Sequence, residues 1–209
     1  MALNMTVAFS GNQRVQPLVD GRVKPENIDL EVVTVEGGML FFRNLQYDEF
    51  DTSEMSISET LLAKERGNGS RWDWSALPVF LSRGHFCLSV LVNTTSGIEH
   101  LGDLKGKRIG VPDYHMTAAL WMRCAMKDLY GIEASDNVWY NGLTTDFSHG
   151  GTSLTGNLRI RPLLDDGGRA VVAEFYRKTG AFMANHHVIV QNRILKDNPW
   201  AEMALFKAF

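Results

Sequence analysis

Arg108-Ile109-Gly110-Val111-Pro112-Asp113-Tyr114-His115-Met116-Thr117-Ala118-Ala119-Leu120-Trp121-Met122 reads as a short apolar strand, a polar turn and the start of a helix. From Thr117 the apolar stripe Ala118, Trp121, Met122, Ala125 and Leu129 repeats at helical spacing as far as Gly131, which leaves Arg123, Lys127 and Asp128 for water. The same alternation continues on both sides of this stretch. Upstream, a first strand over residues 1–9 is followed by a second over 28–35, a helix over 39–47 and a short strand from Phe50 to Met55. Ser56 and Glu59 form a capping box for a helix that stops at Gly67, and residues 71–76, with Trp72 and Trp74, read as a loop. A strand is expected over 85–92. Downstream come a strand over 137–140, a glycine-rich irregular run from Gly142 to Gly156, a helix over 169–179 stopped by Gly180, a strand over 187–190 and a last helix capped at Asn198-Pro199. Strand–helix–strand order of this kind predicts an α/β fold with parallel sheets. Crossings of the chain near Val92 and Val190 predict two lobes around a cleft: residues 1–92 completed by 192–209, and residues 93–191.

A chain of 209 residues fits one large domain or two small lobes, and 44% hydrophobic with 22% charged residues excludes a disordered, collagen-like or coiled-coil chain. Its 21 Lys and Arg against 24 Asp and Glu leave a net charge of −3, which gives no basic footprint for nucleic acid. Cys87 and Cys124 are too few for a disulfide framework and each is expected as a buried free thiol. Residues 1–9 lack the basic start and long apolar core of a signal peptide, and no window reaches the length of a membrane span. The chain is therefore expected in the cytoplasm, without membrane insertion, or in the periplasm if a leader has been removed.

An ordered set of segments is more specific: Pro17-Leu18-Val19-Asp20-Gly21-Arg22-Val23, Phe50-Asp51-Thr52-Ser53-Glu54-Met55-Ser56, Pro78-Val79-Phe80-Leu81-Ser82-Arg83, Leu104-Lys105-Gly106-Lys107-Arg108-Ile109-Gly110-Val111-Pro112 with Tyr114-His115-Met116-Thr117-Ala118-Ala119, and Asn198-Pro199-Trp200 to Lys207-Ala208-Phe209. Together they resemble the 4,5-dihydroxyphthalate decarboxylase family, which shares the fold of type 2 periplasmic solute-binding proteins. The chain departs from that pattern where Arg161-Pro162 passes almost directly to Leu163-Leu164-Asp165-Asp166-Gly167-Gly168, so a segment is expected to be omitted near 162–169 and the second lobe to be incomplete. The resemblance implies a non-oxidative decarboxylation of a hydroxylated aromatic dicarboxylate, 4,5-dihydroxyphthalate-like, to a protocatechuate-like product. The alternative is a non-catalytic solute-binding protein that delivers a small carboxylate to a transporter or sensor, since one scaffold serves both.

Decarboxylation without an organic cofactor needs an acid to protonate the ring carbon, and cations or N–H groups to hold the carboxylates. His115, between a strand end and a helix start, is the expected proton carrier, with Glu54 as an acid/base and His186 as a second candidate. On a strand, His186 and His187 point to opposite faces, so only one of them lines the site. Tyr114, Met116 and Thr117 are expected to bind substrate, with free N–H groups at Met116, Thr117 and Ala118 and the Thr117 hydroxyl as donors. Ser53 faces the same substrate from the first lobe. Arg14 and Arg83, each in a loop at a strand end, offer planar forks for a carboxylate. No cofactor is expected: His85, His115 and the histidine doublet have donor types for a divalent metal, but HxH and HExxH spacings are missing. The expected partner is a small aromatic carboxylate, and association into a homo-oligomer stays open.

Overall fold

The computed structural model describes residues 2–66, 72–85, 90–142, 160–164 and 166–209. These form two compact units, one of residues 2–82 with 184–209 and the other of residues 83–142 with 160–183. Cys87, Phe86, His149 and all but the first residue of the 142–156 run lie outside the described residues, as does half of the strand expected over 85–92.

The first unit is built on a five-stranded sheet. Its strands are β1 (Leu3–Phe9), β2 (Ile28–Thr34), β3 (Thr52–Ser56), β4 (Trp74–Ser82) and, from the far end of the chain, the return strand His186–Gln191, in the order β2-β1-β3-return-β4. Helices α1 (Gln16–Val19), α2 (Gly37–Tyr47) and α3 (Ile57–Arg66) connect them. The pleat sorts the core by parity. Met5, Val7, Phe9, Val188 and Val190 pack in one cluster, and Ala8, Met55 and Ile189 in another with Leu40 and Phe41 of α2. Glu36 opens α2 by accepting the Met39 N–H, and Asp48 closes it in the left-handed region at φ 52°.

Three expectations change here. The sheet is mixed: β1 runs parallel to β2 and β3, but the return strand is antiparallel to both β3 and β4. The chain leaves the unit at the end of β4 and re-enters beside it, where the Asn185 N–H donates to the Ser82 carbonyl at 2.8 Å, so outgoing and returning strands must oppose one another. The same pairing places the unit boundaries at 82/83 and 183/184, ahead of the expected 92 and 191, because residues 186–191 hydrogen-bond along β3 and β4. The expected 71–76 loop is likewise strand from Trp74 onward, with the Trp74 indole 1% exposed in the core. Pro78 sits in this strand because β4 is an edge, and the pairing register shifts between Leu77 and Ser82.

In the second unit β5 (Leu91–Asn93) pairs antiparallel with β8 (Ile160–Pro162), and β6 (Arg108–Val111) pairs parallel with β7 (Val138–Asn141). Helix α4 (Thr117–Tyr130) ends at Gly131 with φ 65°, and α5 (Arg169–Thr179) at Gly180 with φ 70°, the two glycine stops read from the sequence. Leu101, Ile109, Met122, Ala125, Met126, Phe175 and Met183 form the core of this unit. The return strand is β9; after it, α6 (Asn192–Asp197) and α7 (Ala201–Ala208) finish the first unit, α7 packing Ala201 and Leu205 into its core.

Candidate functional site

In the first unit β2 lies on one side of β1 and β3 on the other, so the connections after β1 and after β2 diverge. Open α/β sheets bind ligands outside the carboxyl ends of strands at such a switch point. Ser10 follows β1 directly, Glu54 lies near the end of β3, Leu81 near the end of β4, and antiparallel β9 begins there with His186.

These residues form a connected array. The Glu54 side chain is 1% exposed. Its Oε2 accepts the Ser10 N–H at 2.9 Å and the Ser10 hydroxyl at 2.5 Å, and its Oε1 lies 2.7 Å from His186 Nδ1. Burial pushes the Glu54 carboxyl up, but the hydrogen bonds from His186 and Ser10 outweigh it and hold the group below the usual carboxylate range. Glu54 thus acts as a buried acceptor that fixes the imidazole through Nδ1 and leaves Nε2 as the nitrogen for a ligand. The His186 ring, 21% exposed, is also held edge-on by Phe41, with centroids 4.8 Å apart.

The histidine doublet divides as strand geometry requires. His187 is 7% exposed and its Nε2 pairs with the Thr60 hydroxyl of α3 at 2.8 Å. Burial, with His186 next to it, lowers its pKa to about 4, so it is a neutral core residue at ordinary pH. Arg14 is exposed in the loop after Ser10, and its Nη1 donates to the Leu81 carbonyl at 3.1 Å, which brings its guanidinium to the same edge as Glu54 and His186. Ser53 does not face this edge. It lies one residue out of phase with Glu54, 1% exposed, and its hydroxyl accepts from Asn44 Nδ2 at 2.7 Å on the α2 side. The pleat makes it a structural residue, which corrects its expected place as a substrate contact. Arg83 is exposed and falls in the second unit.

In that unit the residues 112–116 follow β6 at the carboxyl end of the parallel pair, as expected. The Tyr114 N–H donates to Asn141 Oδ1 at 3.0 Å, and the exposed His115 donates its N–H to Asp113 Oδ1 at 2.9 Å. Met116 is the residue that caps α4, and its N–H reaches the Asp113 carbonyl at 3.3 Å rather than being free. Thr117 is 3% exposed, so its hydroxyl lies inside the unit instead of at an open anion cradle. The turn's own Asp113 has taken one of the donors that the sequence offered to a ligand, the Met116 N–H. Cys124 is a free, half-buried thiol whose pKa is raised by burial. Among the described residues, no three His, Cys, Asp or Glu side chains gather closely enough to hold a metal ion, and no helix is long and apolar enough to cross a membrane.

Sequence reasoning misses Ser10 and Arg123. Ser10 stands at the end of the first predicted strand, and its position there is the available signal. The polar helical phase of Arg123 predicts a side chain facing water. In the structure it packs against Tyr114.

No protein-family model matches the chain. Its sequence is 36% identical over 140 residues to a 4,5-dihydroxyphthalate decarboxylase of Pseudomonas putida, a match that covers 67% of this chain and 53% of that protein. A protein of the same name from Comamonas testosteroni is 29% identical over 99% of this chain and 74% of its own length. The chain thus spans about half of the first relative and about three quarters of the second. In structure it is similar to the periplasmic aliphatic sulphonate binding protein of Escherichia coli, with a TM-score of 0.56 and 14% identity over 98% of this chain and 67% of that one. The alkanesulfonate-binding protein of Xanthomonas axonopodis pv. citri, solved with MOPS bound, gives a TM-score of 0.58 and 14% identity over 96% of this chain and 70% of that one. The family read from the five sequence segments and the fold read from its strand order therefore agree with these findings: the chain is a homologue of the curated 4,5-dihydroxyphthalate decarboxylases, carried on a periplasmic-binding-protein-like α/β fold.

Proposed function

We propose that this chain takes part in the non-oxidative decarboxylation of a hydroxylated aromatic dicarboxylate, with the chemistry carried by Glu54 and His186. The observation that supports this most is the carboxylate–imidazole pair at the switch point, a 1% exposed Glu54 behind a partly exposed His186. The names of the two relatives supply the substrate class. In this reading His186 Nε2 gives its proton to the ring carbon that bears the carboxylate. A ring hydroxyl para to that carbon stabilises the positive charge. The bond to the carboxylate then breaks, carbon dioxide leaves, and the bonding electrons restore the aromatic ring. One proton is consumed overall, and His186 recovers it from water. Arg14 grips the remaining carboxylate with its planar fork. The proton-delivering role moves from His115 to His186 because a buried acceptor fixes the His186 ring, whereas His115 is exposed on a turn.

The test is incubation of the chain with 4,5-dihydroxyphthalate, with released carbon dioxide and the ring product measured, for the parent and for His186→Asn and His115→Asn. Loss of about 10²–10⁴-fold in turnover for His186→Asn alone is the expected result. Loss confined to His115→Asn returns the role to the α4 turn. Tight binding with no turnover in any form supports a solute-binding protein instead.

A further inference from the structure

Helix α4 carries a cation that pairs with aromatic rings instead of an acid. The Arg123 guanidinium carbon lies 3.9 Å from the centroid of the Tyr114 ring and 5.6 Å from that of Trp139, and those two rings meet edge-to-face at 5.4 Å. Its Nη1 donates to the Tyr114 carbonyl at 2.9 Å. Tyr114 is in turn fixed by Asn141 through its N–H, and Trp139 by the Ala134 carbonyl, which accepts the indole N–H at 2.8 Å. The guanidinium is thus held on its face by one ring, flanked by a second and anchored at one nitrogen. Among the described residues no carboxylate comes within ion-pair distance of it. Among the described residues Arg22, Arg43, Arg161 and Arg193 each pair with a carboxylate.

Half-burying a charge without a counter-ion is unfavourable, and stacking on aromatic rings offsets only part of that. Burial lowers the Arg123 pKa, as expected for a cation taken partly out of water, yet an arginine stays charged at any physiological pH. A rigid, preorganised fork with remaining N–H donors is the geometry that recognises a planar anion.

We propose that Arg123, with Tyr114 and Trp139 as its walls, is an anion-binding site of the second unit, and that its ligand is a carboxylate. It shares no residue with the Glu54–His186 array, and it rests on the function proposed above only for the choice of a carboxylate over other planar anions. No bond is made or broken at it.

The experiment follows the Arg123 side chain itself. In the ¹⁵N-labelled chain the Arg123 Nε–H resonance is assigned by its loss in Arg123→Lys. Unlabelled phthalate, which lacks the ring hydroxyls and is not turned over, is then titrated at constant ionic strength against sodium chloride. The expected result is a saturable shift with phthalate and none with chloride, retained in Arg14→Met, with an affinity in Arg123→Lys at least about tenfold weaker by calorimetry in the Arg14→Met background. A resonance that does not move with phthalate, or moves equally with chloride, overturns the proposal. If the chain releases no carbon dioxide from 4,5-dihydroxyphthalate but the resonance shifts, this site stands and the decarboxylase reading fails. Turnover with an unmoved resonance removes this site and leaves the decarboxylase reading in place.

Discussion

Replacing Glu54 by Gln separates the charge of this residue from its shape. The carboxylate accepts from three donors: the Ser10 N–H, the Ser10 hydroxyl and His186 Nδ1. A Gln amide offers one oxygen and one NH₂ group. If the oxygen keeps the two Ser10 donors, the NH₂ group faces His186 Nδ1, which must then accept. The imidazole is driven to the Nε2–H tautomer and cannot take a second proton without setting two N–H groups against each other. One charge-assisted hydrogen bond is lost, worth about 1.5–3 kcal/mol of stability. Turnover should fall about 10²–10⁴-fold, which is about 3–5 kcal/mol of barrier. The stability cost should also depend on pH. Because the Glu54 pKa is lowered in the folded chain, its contribution is complete above its ordinary value of 4.5 and is lost as pH falls through the lowered one. Thermal melts of Glu54→Gln and the parent should therefore converge in acid, while carbon dioxide release separates the two at neutral pH. Turnover within threefold of the parent, or a stability gap that stays constant down to pH 3, would refute the reasoning.

Three further outcomes follow from the same geometry. His187, with a pKa of about 4 when folded and 6.5 when free, should lose the chain up to about 3 kcal/mol as pH falls from 6.5 to 4; His187→Gln, which can still pair with Thr60, should flatten that slope, and an unchanged slope in pH-dependent melts assigns it to another group. Arg14→Met should weaken binding of an aromatic dicarboxylate about tenfold or more by calorimetry while stability changes by no more than about 0.5 kcal/mol, because the side chain is exposed; equal affinity removes Arg14 from the site. Ser53→Ala should cost about 1–3 kcal/mol of stability by leaving Asn44 Nδ2 with only the Met55 sulfur at 3.9 Å, and should leave ligand affinity unchanged. An affinity loss in a fully folded Ser53→Ala chain would return Ser53 to the binding surface.

Most single elements are legible in the sequence because their signals are local. Gly131 and Gly180 stop α4 and α5 where the sequence places them, since a residue at positive φ beyond a helix end is a local demand. Glu54 and His186 both stand out by residue type, and period-2 geometry already requires His186 and His187 to part. Which of the two meets Glu54 depends on the register that sets Ser56 opposite His186, and that pairing is non-local. The same register decides Ser53. Its neighbour Glu54 points to one side and Ser53 to the other, so two adjacent polar residues with equal appeal on paper have different fates. The β4 strand is hidden by Pro78 and by two tryptophans that suggest an irregular segment, and only its position at the sheet edge makes the proline acceptable. Arg123 is illegible because its partners are nine residues upstream and sixteen downstream, so no helical repeat could announce them.

The return strand also imposes an order of assembly. Glu54 and His186 are 132 residues apart in sequence, and β9 fills the place between β3 and β4 in the sheet. As the chain emerges from the ribosome, β1, β2 and β3 can pair early, but both β3 and β4 keep open the hydrogen-bonding edges that β9 will occupy until residues 186–191 have been made. Contacts of such separation are slow to form, and open strand edges invite pairing with other chains while they wait. The proposed reactive pair thus forms only after β9 has been made, long after Glu54 has been. A nascent or truncated chain ending before residue 186 would carry a buried-type carboxylate with no imidazole to meet it, and would be a natural client for a chaperone.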